Sequence, residues 1–245
     1  MILGVCKFCK KEFRKRERTR KFCSLICANR FNLNNLNKVK LPEKSKEFAE
    51  FVGICLGDGC AFGYQVAITL NSIADSLYVP YVTKLSGRLF PGATISLIKR
   101  KENAFDIRIN SRQVVEFLKA NGVVSNSKFI PNWIITNPFY VRSCLRGLFD
   151  TEGSISFKLY QSNTGLSLYK QLNFRNANTI LIRFVRDNLI KLGFKPTNTL
   201  KRSLYLSNHQ SISLFRQLIG FSNPKLLERS LIETAEQYKI WKSEI

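Results

Sequence analysis

The sequence Phe51-Val-Gly-Ile-Cys-Leu-Gly-Asp-Gly59 is repeated, with changes, as Leu145-Arg-Gly-Leu-Phe-Asp-Thr-Glu-Gly153. Each copy is an apolar stretch of helical character with Gly at its third position, and each ends in an acid followed by Gly. The two acids, Asp58 and Glu152, lie 94 residues apart, which leaves room for a whole subdomain between the copies. The repeat therefore predicts two similar halves that face each other.

Small residues within the two copies predict that the helices pack closely. A glycine inside a helix lowers its stability by about 1 kcal/mol relative to Ala, so it is expected where another backbone must come near. Gly53 and Gly57 in the first copy, like Gly147 and Thr151 in the second, lie four residues apart and share one helix face. A parallel pair about a pseudo-two-fold axis would bring the two acids side by side at the helix ends.

Two carboxylates in that position repel each other, and the negative ends of the helix dipoles add to the repulsion. Divalent metal ions between Asp58 and Glu152 would relieve both costs. The pattern therefore points to a divalent metal site between the two acids. The alternative is that two ordinary amphipathic core helices happen to end in an acid and Gly.

The two copies resemble the LAGLIDADG motif of homing endonucleases, in the single-chain form that carries two motifs, over about residues 42 to 245. Gly53 and Gly147 match the helix-interface glycines of that family, and Asp58 and Glu152 match its metal-binding acids. The resemblance implies Mg²⁺ as the catalytic metal, with ligands from the acids and from the residues before them, Gly57 and Thr151.

The first motif departs from the family at its sixth position, where Leu56 stands in place of the acid that Asp150 keeps in the second. That position is not a metal ligand in the family, so the departure leaves the metal site intact. Lys128 and Lys225 follow similar segments that begin at Gly122 and Gly220. They match basic residues that point at the cleavage centre in the family, although they would also serve as ordinary phosphate contacts.

The fold that these patterns and the resemblance predict is α+β. Two pseudo-symmetric αββαββα halves form a DNA-binding saddle, and a small zinc-binding module precedes them. The expected boundaries are residues 1–30 for a four-cysteine zinc finger, 31–41 for a linker, 42–137 for the first half and 138–245 for the second.

Four of the seven cysteines lie near the N-terminus, as Cys6-Lys-Phe-Cys9 and Cys23-Ser-Leu-Ile-Cys27. Four thiolates at this spacing can surround a structural Zn²⁺, and so small a segment needs the metal in order to fold. The spacing is similar to that of short treble-clef fingers, with Phe8, Phe13 and Phe22 as an expected small core. A redox site and four unliganded thiols are the alternatives. With four protein ligands the metal has no open position for catalysis.

The formal net charge is +22 and the pI is about 10.0. Residues 1–40 hold twelve Lys or Arg against two Glu, a net charge of +10, which leaves +12 of the total of +22 for residues 41–245. Both parts of the chain are therefore basic. Such a surplus repels itself unless a polyanion neutralises it, which indicates nucleic acid as the partner rather than a membrane. A ribosome-associated or merely basic surface would explain the charge but not the paired motifs. The basic run expected to clamp phosphates consists of Lys10, Lys11, Arg14, Lys15, Arg16, Arg18, Arg20 and Lys21.

Alternating residues in the predicted strands turn aliphatic side chains inward and polar ones outward. In one strand Asp106, Arg108 and Asn110 are expected on the outer face. Arg and Lys suit guanine edges in the major groove, and Asn and Gln suit adenine. The residues predicted to read bases are Gln65, Thr69, Arg108, Asn110, Lys158, Gln171, Asn173, Arg175 and Lys201.

The predicted function is a site-specific homing endonuclease: a monomeric hydrolase that makes a staggered break in a double-stranded DNA target. The single histidine, His209, argues against a His-metal nuclease centre. An intron maturase and a non-cleaving nucleic-acid-binding regulator on the same scaffold remain alternatives. No apolar run reaches the roughly 20 residues of a membrane span, and we expect an intracellular protein in cytoplasm, nucleoid or organelle matrix. A free-standing, intron-encoded protein is preferred to an intein-borne enzyme because splicing blocks are lacking.

Overall fold

The computed structural model describes residues 2–15, 17–34, 39–124, 128–163, 165–200 and 202–243. The chain divides into two compact units, Met1–Lys38 and Val39–Ile245. Within the described residues, no helix combines the length and the apolar character that crossing a membrane requires. The finer domain boundaries expected from the sequence stay predictions.

The N-terminal unit is a small hairpin followed by a helix. Strands β1 (Ile2–Val5) and β2 (Glu12–Lys15) pair antiparallel, and α1 spans Leu25–Asn34. Lys10 takes a left-handed conformation with φ 60°, which lets the chain turn back after the first cysteine pair. The Phe22 ring lies 5.1 Å from that of Phe31, so this small core includes a helix residue that was not predicted.

The larger unit contains the predicted αββαββα order twice. The first half comprises α2 (Lys46–Asp58), β3 (Gly59–Phe62), β4 (Gln65–Asn71), α3 (Val79–Leu89), β5 (Thr94–Lys99), β6 (Ala104–Asn110) and α4 (Arg112–Ala120). Its strands form an antiparallel sheet in the order β3-β4-β6-β5. A short helix, α5 (Asn132–Ile135), leads into the second half.

The second half comprises α6 (Pro138–Glu152), β7 (Gly153–Ser162), β8 (Gly165–Arg175), α7 (Thr179–Lys191), β9 (Thr197–Leu200), β10 (Ser203–Ser207) and α8 (His209–Leu218). Its sheet has the equivalent order β7-β8-β10-β9. Two further helices, α9 (Pro224–Leu231) and α10 (Ala235–Ser243), follow and were not predicted. The matching order in both halves confirms the predicted α+β fold.

The motif helices α2 and α6 pack against each other through their glycines. A Cβ atom placed on Gly53 would lie 2.2 Å from the carbonyl oxygen of Cys144, and one on Gly147 would lie 2.2 Å from that of Glu50. These contacts are reciprocal, since in each case the glycine meets a carbonyl three residues before the glycine of the partner helix. The predicted close approach of the two helices is therefore confirmed.

Each motif helix ends where a strand begins. The N–H groups of Gly59 and Gly153 cap the helices by donating to the carbonyls of Cys55 and Phe149. A Cβ atom at either glycine would come within 2.5 Å of that same carbonyl oxygen, so a side chain would disrupt the junction. The acid before each glycine is thus held between a buried helix and the first strand of a sheet.

Candidate functional site

The two motif acids lie at adjoining helix ends. Asp58 is the last residue of α2 and Glu152 is the last residue of α6. A Cβ atom on Gly57 would lie 2.2 Å from the hydroxyl oxygen of Thr151 and 3.2 Å from the Cγ of Glu152. The structure thus brings together the four residues that the sequence analysis assigned to a magnesium site.

Asp58 lies in an environment that disfavours its charge. Burial raises the pKa of its carboxyl to about 7, and the negative charges of Glu152 and Asp75 act in the same direction. The positive charges of Lys128 and Lys225 lower this pKa in part. A cation beside Asp58 would therefore favour its ionised form.

Glu152 is also partly buried, and burial raises the pKa of its carboxyl. The amide of Asn176 donates a hydrogen bond of 2.8 Å to its Oε1 atom, which favours the ionised form. Sequence reasoning missed Asn176 because it lies in a turn, outside both motifs and outside the strand alternation.

Lys128 reaches the C-terminal end of the first motif helix. Its Nζ atom donates to the carbonyls of Cys55 at 3.0 Å, Leu56 at 3.1 Å and Gly57 at 3.3 Å. The ammonium therefore lies at the negative end of the helix dipole, where a cation is favoured. Burial lowers the pKa of Lys128, and the negative charge of Asp58 opposes that shift. The prediction that Lys128 approaches the acids agrees with this geometry, but its role stays a prediction.

Lys225 is held by an acid of the opposite half. Its Nζ atom lies 2.6 Å from Oδ1 of Asp75, and the amide of Asn223 donates to the same oxygen at 3.1 Å. Asp75 lies in the turn between β4 and α3, where no sequence motif marked it. The two lysines thus have different partners: one contacts backbone carbonyls, the other a carboxylate.

The last two residues of the two motif helices offer oxygen atoms as metal ligands. Carboxylates and carbonyls are the donors that Mg²⁺ prefers, and paired buried acids gain most from a divalent cation. The carbonyl of Gly57 accepts from Lys128, while the Thr151 hydroxyl donates to carbonyls of its own helix. The donor set fits a hard divalent metal, with the two acids as the main ligands.

The sixth motif position has a structural role in the second half. The Asp150 carboxylate accepts hydrogen bonds from the backbone N–H groups of Ser222 at 3.0 Å and Asn223 at 3.2 Å. Asp150 is buried, and burial raises its pKa to about 8. Leu56 at the equivalent position is buried in the core. The two motifs differ here because only the second uses the position to fasten a loop.

The four N-terminal cysteines form a cluster. Their Sγ atoms all lie within 4.8 Å of one another. The Sγ of Cys23 lies 3.6 Å from that of Cys9 and 3.5 Å from that of Cys27. Burial raises the pKa of Cys6, but hydrogen bonds from backbone N–H groups outweigh it and bring the pKa down to about 6. Hydrogen bonds with Cys27 and Cys9 raise the pKa of Cys23 to about 12. A bound metal ion would deprotonate its thiol ligands. The cluster therefore fits a metal such as Zn²⁺, which takes four thiolates in a tetrahedron.

The basic run of the N-terminal unit is largely solvent-facing. Arg20 is the exception: its guanidinium donates to the carbonyls of Phe22 at 3.1 Å and Cys23 at 2.9 Å, and lies 5.6 Å from the Phe13 ring centre. Arg20 therefore supports the second cysteine pair. Lys15 is half-buried and Arg16 lies outside the described residues. The exposed members of the run are Lys10, Lys11, Arg14, Arg18 and Lys21.

In the first sheet the predicted base readers occupy one face. Gln65 pairs with Asn110 across β4 and β6, and Thr69 pairs with Asp106, so these residues point to the same side. Arg108 on that side lies 5.4 Å from the centre of the Phe62 ring. The amide of Asn110 donates to Ser96, which holds it in place.

Asp106 lies on the outer side of the sheet, as expected, but its side chain is fully buried there. Its carboxylate lies 2.9 Å from both Arg100 and Arg108 and accepts from Thr69 at 2.9 Å. Although burial raises its pKa, these hydrogen bonds lower it below the ordinary value. The acid is covered because it positions two arginines.

The second sheet carries its predicted readers in the same way. Buried Leu172 and Phe174 alternate with Gln171, Asn173 and Arg175 along β8, so the polar residues share the opposite face. Lys158 on β7 is exposed and faces Tyr169. The amide of Asn173 donates to Ser156 at 3.1 Å. Lys201 lies outside the described residues.

Comparison with known proteins finds partial relatives. No protein-family model matches the chain. It is 27% identical over 234 residues to glutamine–fructose-6-phosphate aminotransferase of Methanocaldococcus jannaschii, covering 87% of this chain and 20% of that protein. It is 30% identical over 206 residues to RNA polymerase subunit Rpo1C of the same organism, covering 79% of this chain and 22% of the subunit. The chain thus spans about a fifth of the length of these relatives.

Among solved structures, the chain is similar to meganuclease I-SmaMI bound to an uncleavable DNA. The TM-score is 0.51 at 14% sequence identity, and the match covers 80% of this chain and 90% of the meganuclease. A second structure of that meganuclease on DNA gives a TM-score of 0.50 at 13% identity, covering 84% and 92% of the two chains. At such low identity the likeness shows the fold, and this chain therefore has the fold of the I-SmaMI meganuclease.

Proposed function

We propose that this protein is a site-specific DNA endonuclease that hydrolyses one phosphodiester bond in each strand of its target with the help of Mg²⁺. The observation that carries the proposal is the meeting of Asp58 and Glu152 at the ends of two helices that pack through reciprocal glycines. One acid from each half then serves one strand. The shared meganuclease fold and the net charge of +22 support a DNA substrate.

The chain's own residues divide the work at this centre. Asp58 and Glu152 would hold the metal, which would supply an activated water and neutralise charge on the scissile phosphate when bound. Lys128 and Lys225 place positive charge beside them and stabilise the charge that develops on the phosphate oxygens.

The polar faces of the two sheets bind the major groove on either side of the cut. Arg108 is held by Asp106 and presents a fixed donor. The amide nitrogen of Asn173, by contrast, donates to Ser156 and Gln171 and leaves Oδ1 as a fixed acceptor. Because each half contributes its own set of readers, the recognised sequence is long and asymmetric. A single chain supplies both halves, so the protein acts as a monomer.

The N-terminal unit adds affinity. Four cysteines hold a structural Zn²⁺, and the exposed cations of the same unit neutralise phosphates beside the main site. Phosphate contacts fix position without reading sequence, so this unit contributes binding strength more than specificity.

The curated relatives support a mobile coding segment. The matched region covers most of this chain but about a fifth of an aminotransferase and of a polymerase subunit, whose names describe unrelated activities. A segment shared by such proteins is a module independent of either activity. Homing endonucleases are modules of this kind, and the intron-encoded setting expected from the sequence stays a prediction.

The test is cleavage selection from a randomised DNA library with Mg²⁺, followed by Asp58→Asn and Glu152→Gln variants. We expect the unaltered chain to cut selected duplexes on both strands at staggered positions. Each variant should bind the same duplex with a similar Kd and lose at least about a hundredfold in cleavage rate, since a metal ligand is missing. Normal cleavage by both variants would refute the assignment. Binding without any cleavage by the unaltered chain would indicate a maturase or a non-cleaving regulator.

A further inference from the structure

The amide of Asn176 joins a turn to a catalytic acid. Its Nδ2 atom donates to Oε1 of Glu152 at 2.8 Å. Its Oδ1 atom accepts from the backbone N–H of Asn178 at 2.7 Å, which fixes which end of the amide faces the acid. The backbone N–H of Asn176 donates to the backbone carbonyl of Arg202 at 3.1 Å, so both the side chain and the backbone of Asn176 are held.

The surroundings of Asn176 suit a scissile phosphate. Glu152, Arg175, Asn176 and Arg202 line an open cleft of about 510 Å³. Two arginines beside an acid provide positive charge for a phosphate and a carboxylate for a metal. The orientation of the Glu152 carboxylate therefore sets where a metal between them would lie.

The first half is built differently at the equivalent turn. Residues 72–78 separate β4 from α3, whereas only residues 176–178 separate β8 from α7. Asn71 begins the longer turn with the same local bond, because its Oδ1 accepts from the N–H groups of Ile73 and Ala74. Over the described ranges, however, no side chain donates a hydrogen bond to Asp58. The longer turn instead directs Asp75 to Lys225.

We propose that Asn176 is a positioning residue for Glu152, that the described part of the Asp58 half has no counterpart to it, and that the two strands are therefore cut at unequal rates. This inference rests on the proposed endonuclease function. A carboxylate held by a second residue is ready to take its metal, whereas an unheld carboxylate must first be ordered. The unaltered protein should therefore pass through a DNA intermediate that is nicked in one particular strand.

The test compares Asn176→Ala with Asn71→Ala. Asn71→Ala removes the same kind of turn hydrogen bond but no contact with an acid, so it is the matched control. The selected duplex carries a different label on each strand, and nicking of each is followed against Mg²⁺ concentration. In Asn176→Ala we expect the faster strand to slow by about tenfold or more, as for other residues that support metal ligands. Higher Mg²⁺ should recover part of that rate, and the other strand should change less than about twofold.

A second measurement does not depend on cleavage. Mn²⁺ binding to the DNA-free, zinc-loaded chain is followed by the loss of the free Mn²⁺ signal in electron paramagnetic resonance. We expect the apparent affinity to fall by about tenfold in Asn176→Ala and to stay within about twofold in Asn71→Ala.

Three outcomes would count against the inference. Equal slowing of both strands by Asn176→Ala, or the same loss in Asn71→Ala, would show that the residue only supports the fold. Unchanged nicking and Mn²⁺ affinity in Asn176→Ala would show that the hydrogen bond to Glu152 affects neither metal binding nor cleavage. A chain that cuts no selected duplex would refute the endonuclease proposal itself, and with it the unequal strands.

Discussion

Lys170 is a residue of this protein whose protonation depends on burial. It stands on the inner face of β8, is 1% exposed, and donates to the carbonyls of Ser230 and Ile232 at the end of α9. Burial lowers the pKa of its ammonium from 10.5 to about 8, although the charge of Glu233 opposes the shift. A lysine with these contacts ties the C-terminal helices to the second sheet.

A prediction about pH follows from that shift. Between about pH 8 and 10.5 the unfolded chain keeps the Lys170 proton and the folded chain loses it, so stability should rise with pH. The gain, at most about 1.4 kcal/mol per pH unit, should be absent in Lys170→Met. Urea unfolding at several pH values would measure it as the difference between the two proteins. Lys158→Met replaces an exposed lysine of β7 and should behave like the unaltered chain; parallel curves for all three would refute the prediction.

Individual site residues were predictable only where a motif carried them. Asp58, Glu152 and the interface glycines follow from the repeat, because helix packing and charge repulsion are readable from residue type and spacing. Asp75 and Asn176 were not predictable, since each lies in a turn whose path depends on its length. The burial of Asp106 was not predictable for a related reason. Strand alternation gives the face of a residue, but burial on that face came from arginines on β6 and in the loop before it.

The crossing of α2 and α6 is the element on which both halves depend, and it makes a prediction about stability. In Gly53→Ala the new methyl group would lie 2.2 Å from the Cys144 carbonyl oxygen, a backbone atom that cannot move aside. We expect the free energy of unfolding to fall by at least about 2 kcal/mol.

Gly87→Ala is the matched control in α3, where nothing lies within 4 Å of the added atom. That variant should gain up to about 1 kcal/mol from better helix propensity. Urea denaturation of both variants would measure the contrast. Equal effects at the two positions would contradict the close helix crossing.

Element order was predictable, but element length was not. Caps such as Ser45, which accepts from the N–H of Phe48, mark helix starts in the sequence. The β7–β8 hairpin of the second half is longer than the β3–β4 hairpin of the first half because the inner face of β7 continues under α10. There the Phe157 ring lies 5.0 Å from Tyr238 and 5.7 Å from Trp241. A covering helix far along the chain determines that length, and local periodicity carries no sign of it.

For the whole molecule, the proposed DNA-binding role of the N-terminal unit predicts that the affinity for DNA depends on zinc. We expect zinc removal, or Cys9→Ser, to weaken DNA binding while the cut position stays the same. The slope of log affinity against log salt should also become less steep, because fewer phosphates are neutralised. Cys9→His keeps a metal ligand and is the control, and re-added Zn²⁺ should restore the metal-free protein. An unchanged Kd after Cys9→Ser would argue against a DNA-binding finger.

The direct passage from helix to strand at Gly59 and Gly153 has a consequence for how such a protein acquires new targets. No loop separates each sheet from the motif acid before it, so in the proposed endonuclease a poor fit at a distant base pair would be transmitted mechanically to Asp58 and Glu152. The DNA sequence would then affect the rate of cleavage as well as the lifetime of the complex with DNA. An endonuclease that evolves to recognise a different DNA sequence would have to readjust the geometry of its catalytic centre at the same time.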